Sequence, residues 1–453
     1  MTPTDLLHSS TTPLWLDTPD RPAPRPGLEG DTSTGLLVIG GGFTGLWTAL
    51  RAVERTPGRR VLLLEAGRLA DQATGRNGGF CEASLTHGEA NGRERWPDEY
   101  DTLQRLGAEN LAALVETVER YGIDCDLSTA GVLQVATRPH EVADLEPDRP
   151  GFLDAAAVRS LVDSPTYLAG REDRDGCVLV DPARLAWGLA AAAEQLGVRI
   201  AEHTRAEDVE VRGGRVRVRT PSGTVDAERV VLATNAFRPL LRRLRLSTVP
   251  VYDYVVATEP LTADRLAAIG WLGRQGIADS GNRFHYYRLT RDDRIVFGGY
   301  DAVYHFGRRI DPRLDDRPAT HRLLAEHLRE TFPQLGDVGI SHRWGGVIDT
   351  CTRFSAFFGT ARRGRVAYAL GYTGLGVGAS RFAADVVLDL LDGARTERTR
   401  LRMVRTKPVP FPPEPLAWFG ISLTRWALAR ADRTGRRNPW LRTLDRLGLG
   451  FDS

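Results

Sequence analysis

Gly35-Leu-Leu-Val-Ile-Gly-Gly-Gly-Phe-Thr-Gly45 is a short apolar run that breaks into a glycine-rich turn. Such a run, bounded by glycine, predicts a strand buried on both faces. Residues 44–55 carry a helical pattern that Thr56-Pro-Gly58 stops, and Val61-Leu-Leu-Leu-Glu65 reads as a second buried strand. Gly40, Gly42 and Gly45 therefore sit between a strand and a helix in the G-x-G-x-x-G spacing of a dinucleotide-binding turn. Gly40 permits the tight turn, Gly42 lets the backbone approach a pyrophosphate, and Gly45 lets the helix pack closely. Phe43 and Thr44 open the helix, whose unpaired N–H groups and dipole favour an anion. Glu65 stands 20 residues after Gly45, where an acid accepts hydrogen bonds from an adenosine ribose and repels a 2′-phosphate. The glycines alone do not choose between FAD and NAD.

Outside this unit, the 453 residues are 42% hydrophobic and 26% charged, with a net charge of +2. That length suits two or three domains, and the charge balance gives no reason to expect nucleic acid. Lys407 is the only lysine. Cys81, Cys125, Cys177 and Cys351 are scattered without a C-x-x-C pair, which argues against a disulfide framework or a zinc site. We expect no metal and a reducing, cytoplasmic setting. The stretch Met1–Pro26 is polar and Pro-rich, unlike a secretory signal, and no apolar run is long enough to span a membrane. Residues 98–122, 182–196, 318–332 and 376–392 have helical spacing. Residues 207–219 and 224–232 read as a β-meander, and 249–257 and 284–300 as strands with aromatics on alternate positions.

Ala73-Thr-Gly-Arg-Asn-Gly-Gly79 follows Glu65 closely. With it the sequence resembles the D-amino acid oxidase, glycine oxidase and sarcosine oxidase family of FAD-dependent oxidoreductases, above all its γ-glutamylputrescine oxidoreductase-like branch. Val230-Val-Leu-Ala-Thr-Asn-Ala236, Tyr252-Asp-Tyr254 with Glu259-Pro-Leu261, Arg343-Trp-Gly-Gly346 and Gly371-Tyr-Thr-Gly-Leu-Gly376 extend the match over most of residues 35–395. The resemblance implies an α/β + α+β fold. A Rossmann-like FAD/NAD(P)-binding domain (1–85, 175–240 and 343–405) is interleaved with an antiparallel-sheet substrate domain (86–174 and 241–342), and residues 406–453 form a tail. By position, Gly40, Gly42, Gly45 and Glu65 would hold the ADP half of FAD, with Phe43, Thr44 and Thr234 beside them. Arg76, Asn77, Gly78 and Gly79 would run along the pyrophosphate and isoalloxazine. Gly371, Tyr372 and Thr373 would shape the second turn, and Gly374, Leu375 and Gly376 would set a helix N-terminus against the pyrimidine end.

The family's reaction is hydride transfer from a small amine or amino acid to flavin N5, leaving an imine that water hydrolyses; oxygen or another acceptor reoxidises the flavin. Such chemistry needs recognition groups rather than a catalytic triad. Strand alternation puts Tyr252 and Tyr254 on one face, Phe284, Tyr286 and Arg288 on one face of another strand, and His285 and Tyr287 opposite them. Aromatics could box an ammonium, and Arg288 or Arg343 could grip a carboxylate. The competing readings are sheet packing for the tyrosines and an ion pair for Arg288, and the sequence leaves open which face meets the flavin. Sarcosine-oxidase-like proteins use a lysine to activate oxygen, whereas Lys407 lies beyond the matched region. Another cation, such as Arg76 or His285, would then serve oxygen, or the electrons go elsewhere. Cys81 and Cys351 read as inert buried thiols rather than flavin attachment points. Two alternatives are a flavin monooxygenase using NAD(P)H, which should show a Gly-Asp turn absent here, and a non-catalytic flavin-binding redox protein. The tail mixes tryptophans with arginines and reads either as a weak membrane-surface contact or as a segment docked on its own protein.

Overall fold

Leu36, Leu37, Val38 and Ile39 are all buried, as a strand covered on both faces requires. In the computed structural model, which describes Leu6 and residues 8–449, the strand Thr32–Ile39 is central. It pairs in parallel with Val61–Leu64 on one side and Gly223–Leu232 on the other. The sheet runs Phe357–Ala361, Val366–Leu370, Gly223–Leu232, Thr32–Ile39, Val61–Leu64, Arg199–Ala201. Its edge strand Phe357–Ala361 is antiparallel to its neighbour. Leu36 and Val38 enter a core shared with the helices Phe43–Arg55, Pro182–Gln195 and Gly376–Asp392. Leu37 and Ile39 face the meander Asp208–Arg212 and Arg215–Thr220. The period-two alternation of one strand thus sets which layer lies on which side.

The second sheet runs Val303–Tyr304, Val249–Thr258, Ile295–Gly299, His285–Leu289, Gly276–Asp279, Val132–Ala136, Ala169–Asp173, Phe152–Asp154, with Ile340–Thr350 also on Val249–Thr258. It departs from a purely antiparallel sheet at one pair: Gly276–Asp279 and Val132–Ala136 run parallel. That pair is where two separated stretches of chain meet edge to edge.

Two sequence boundaries shift. Arg343–Gly346 does not lead back into the first sheet. Ile340–Thr350 pairs with Val249–Thr258 from Thr350 opposite Val249 to Ile340 opposite Thr258. Breaking that ladder at residue 343 would strand its buried N–H and C=O groups, and the chain re-enters the first sheet at Phe357. The helix Tyr100–Arg120, placed by sequence with the second unit, packs on the first. Leu103, Leu106, Leu111, Leu114 and Val118 join the core of Leu36 and Val38, and Asn110 Nδ2 donates to the Gly378 carbonyl at 2.9 Å.

The tail forms a helical hairpin, Leu416–Thr434 and Pro439–Arg446, closed around Ala427, Ala431 and Leu441. Asp432 accepts from the Asn282 and Arg283 main-chain N–H groups at 2.9 and 3.2 Å. Arg425 donates to Asp301 at 2.6 Å. The hairpin is docked on its own protein, while Leu416, Phe419, Leu423 and Trp426 remain exposed on its outer side. Among the described residues, no helix is long and apolar enough to cross a membrane.

Candidate active site

The glycine turn is forced by its neighbours. Gly40 has φ +116°, and a Cβ there would lie 2.3 Å from the Ala233 carbonyl oxygen. A Cβ on Gly45 would meet the Gly40 carbonyl at 1.8 Å. Glu65 closes this end: its Oε2 accepts from Gly41 N–H at 2.7 Å and its Oε1 from Gly67 N–H at 2.8 Å. Burial raises the Glu65 pKa, and the two amides pull it back. Thr74 Oγ1 accepts from Phe43 N–H at 3.1 Å.

The 73–79 segment is self-bracing. Asn77 Nδ2 donates to the Ala73 and Thr74 carbonyls at 3.0 and 2.8 Å, and its Oδ1 accepts from Gly79 N–H at 2.9 Å. Arg76 reaches Asp315 at 2.5 Å and the carbonyls of Gly345 and Asp71. Gly78 is bare because the Tyr286 ring lies against it, 2.5 Å from where a Cβ would be. The second turn hangs on Asp349, which accepts from the N–H groups of Gly371 and, at 3.2 Å, Tyr372. Burial pushes the Asp349 carboxyl up to about 7 against the pull of those amides. Thr44 Oγ1 donates to the Tyr372 hydroxyl at 2.7 Å, tying the two turns together.

A cavity of about 1330 Å³ runs from Gly40, Gly42, Phe43, Thr44 and Glu65 past Thr234, Arg76, Asn77 and Gly78 to Tyr372–Gly376. It is larger than the roughly 300–1,000 Å³ of a pocket for one small molecule. Gly45, Gly79 and Gly371 support the wall from behind rather than line it. The second sheet roofs the cavity with Val249, Val251, Asp253, Phe284, Tyr286 and Tyr300, and the tail helix covers part of its mouth with Ala417, Gly420, Ile421 and Thr424.

Of the predicted substrate-side residues, Phe284 and Tyr286 line this cavity. Tyr252 and Tyr254 turn to the other side of their strand, where their hydroxyls bond the Asp311 and Leu314 carbonyls at 3.4 and 2.9 Å. His285 also points behind the sheet, bonded to Asp279 at 2.6 Å and His327 at 2.9 Å. Arg288 is buried and donates to the Val180 carbonyl at 2.7 Å, with Asp126 at 3.4 Å. Arg343 holds the N-terminal arm through Ser9 and pairs with Asp316. Neither arginine lines the cavity. Sequence reasoning missed Asp253, which the alternation places opposite the two tyrosines it singled out, and Glu82, which shares a strand face with Phe80. Cys81 and Cys351 are buried off the cavity, and burial raises both thiol pKa values.

The residues fit a dinucleotide on three counts. A Cβ on Gly42 would come within 2.8 Å of Thr74 Oγ1, so the turn presents backbone only. The helices Phe43–Arg55 and Gly376–Asp392 both start at the cavity with neither a side-chain cap nor an acid in the first turn, leaving N–H donors for an anion. Gly374, at φ +100°, has no neighbour closer to its missing Cβ than His87 Nε2 at 4.0 Å, so a side chain there would fill cavity space.

Residues 36–390 match the family described as "DAO: FAD dependent oxidoreductase". The chain belongs to that family. This FAD-dependent oxidoreductase is 32% identical over 409 residues to the γ-glutamylputrescine oxidoreductase of Escherichia coli K12, covering 85% of this chain and 90% of that one. It is 30% identical over 421 residues to a probable oxidoreductase, OrdL, of Rhizobium meliloti, covering 86% and 90%. Its fold matches glycine oxidase from Geobacillus kaustophilus with a TM-score of 0.67 at 20% identity, over 83% of this chain and 99% of that chain. FAD is therefore the dinucleotide whose ADP half the Gly40–Gly45 turn and Glu65 would hold, with Tyr372–Gly376 toward its flavin end.

Proposed function

We propose that this FAD-dependent oxidoreductase oxidises a C–N bond of a small amine to an imine. FAD, when bound, supplies the hydride acceptor. The observation that carries this reading is the continuity of the cavity from the glycine turn to a roof that carries Tyr286 and Phe284. Aromatic faces attract an organic ammonium and hold it apart from water. The relative named γ-glutamylputrescine oxidoreductase supports an amine substrate. On this reading the first sheet and the helices packed on it, Tyr100–Arg120 among them, hold FAD, and the second sheet orients the amine. An anaerobic screen of amines against the holoenzyme tests it by loss of flavin absorbance. If NAD(P)H bleaches the flavin and no amine does, a monooxygenase is the answer instead.

We further propose that the tail rests on an anionic membrane surface. Leu416, Phe419, Leu423 and Trp426 form one exposed stripe on a helix whose chain neighbours include Arg425, Arg430 and Arg433. Apolar side chains beside arginines suit an interfacial helix. Co-sedimentation with vesicles containing anionic lipid should fall when Phe419 and Trp426 are replaced by glutamate, and an unchanged bound fraction would refute the contact. The buried free thiols suit a reducing cytoplasm.

A further inference from the structure

We infer that Glu82 and Asp253 select an amine carrying a second positive charge at its non-reacting end. The inference rests on the C–N oxidation proposed above.

Glu82 ends the short strand Phe80–Glu82. Its main chain is pressed against Gly378, where a Cβ would come within 2.4 Å of the Glu82 carbonyl oxygen. Strand alternation puts Phe80 and Glu82 on one face, and both line the cavity while Cys81 points into the core. Glu82 is exposed to the open cavity, and desolvation by the protein around it raises its pKa. Among the described residues it makes no side-chain hydrogen bond or ion pair.

Asp253 stands on the roof. It accepts from the Tyr286 hydroxyl at 2.5 Å, and the Tyr286 ring meets Phe80 edge-on at 5.8 Å. Glu82, Phe80, Tyr286 and Asp253 therefore form one stretch of wall with acids at both ends and aromatics between. Burial lifts Asp253 to about 6, the Tyr286 hydroxyl and the Tyr254 and Gly299 amides opposing.

The arginines facing this chamber do not answer these acids. Arg76 pairs with Asp315, while Arg283, Arg317 and Arg425 converge on Asp301 at 3.6, 2.5 and 2.6 Å. Arg205, Arg238 and Arg242 are exposed and lie in the chain beside the glycine-turn end of the cavity. A carboxylate partly desolvated in a cavity and without a counter-ion is costly, and a cationic ligand relieves that cost. A substrate carboxylate in this chamber would meet two acids, and among the described residues the guanidinium groups facing the roof are already ion-paired. The wall thus favours an amine with a distant ammonium over an α-amino acid or an amino acid with a terminal carboxylate.

The test uses the holoenzyme and three amines with the same four-carbon chain: butane diamine, butylamine and aminobutyrate, which end in ammonium, methyl and carboxylate. We expect kcat/KM to fall in that order, with the diamine leading butylamine by about tenfold or more, as one charge-assisted hydrogen bond provides. Glu82→Gln and Asp253→Asn should each collapse the diamine-to-butylamine ratio, chiefly through KM. A second readout does not need turnover. The bis-quaternary analogue of the diamine has no nitrogen lone pair to expel a hydride, so its binding is followed by the flavin absorbance shift. Its Kd should weaken about tenfold in each variant, while that of tetramethylammonium changes less. Preference for aminobutyrate, or equal losses on all three amines in both variants, would overturn the inference. If no amine bleaches the flavin, the C–N reading itself fails, and the bis-quaternary titration still reports whether the two acids hold a dication.

Discussion

Two residues show how burial decides a role. Arg288 looked like a carboxylate grip, but its donors are occupied by the Val180 carbonyl and Asp126. Arg288→Ala should cost about 1–3 kcal/mol of stability by leaving that carbonyl unpaired. The ratio of KM for carboxylated and uncharged amines should stay as in the parent; a selective rise for carboxylated amines would restore the grip. Asp349 is the opposite case, a carboxyl whose burial holds it up at about 7. Its folded pKa lies above the unfolded carboxylate value, so the native state keeps a proton that the unfolded chain releases. Stability from this group is full below about pH 4 and declines as pH rises through about 7. Asp349→Asn keeps an acceptor for the Gly371 amide and removes the titration, so thermal unfolding of the variant should vary less with pH across that window. At this scale the glycines and Glu65 were legible because backbone geometry and spacing constrain them. The substrate-side residues were not, since alternation names two faces and only the packing of helix Pro318–Thr331, whose His321 meets Tyr254 at 5.5 Å, tells which is inner.

Elements were read more surely than their partners. The apolar spacing of residues 376–392 places the helix Gly376–Asp392, and the alternation around Val209, Val216 and Val218 gives the meander. What the sequence did not show was that Ile340–Thr350 continues the second sheet, or that Tyr100–Arg120 packs on the first. Both depend on pairing between stretches far apart in the chain, which local periodicity does not encode. The tail is held at two polar anchors, Asp432 on the Asn282–Arg283 amides and Arg425 on Asp301. Asp432→Ala should loosen the hairpin without disturbing either sheet. Limited proteolysis would then cut within residues 416–446 before the rest of the chain, and an unchanged cleavage order would count against the anchor.

Across the whole molecule, the cavity wall bears on where electrons go after the amine is oxidised. Lys407 is exposed and lies off the cavity. Of the cations facing the roof, Arg76, Arg283 and Arg425 are ion-paired, and burial lowers the His87 pKa. Oxygen reduction begins by making an anion, which such a wall stabilises poorly. Stopped-flow mixing of the reduced holoenzyme with air should therefore show slow return of flavin absorbance; rapid return would identify an efficient oxidase. The tie between Thr44 and Tyr372 reaches further still. The first turn leaves the ribosome early, yet the strand before it gains one parallel neighbour only with residues 223–232, and the second turn only after residue 370. At about 5–20 residues per second of synthesis, the opening strand waits many seconds for these partners. Cofactor capture is accordingly a late step of biogenesis, and a nascent polypeptide released before residue 376 would carry the nucleotide fingerprint with no means of closing on its flavin.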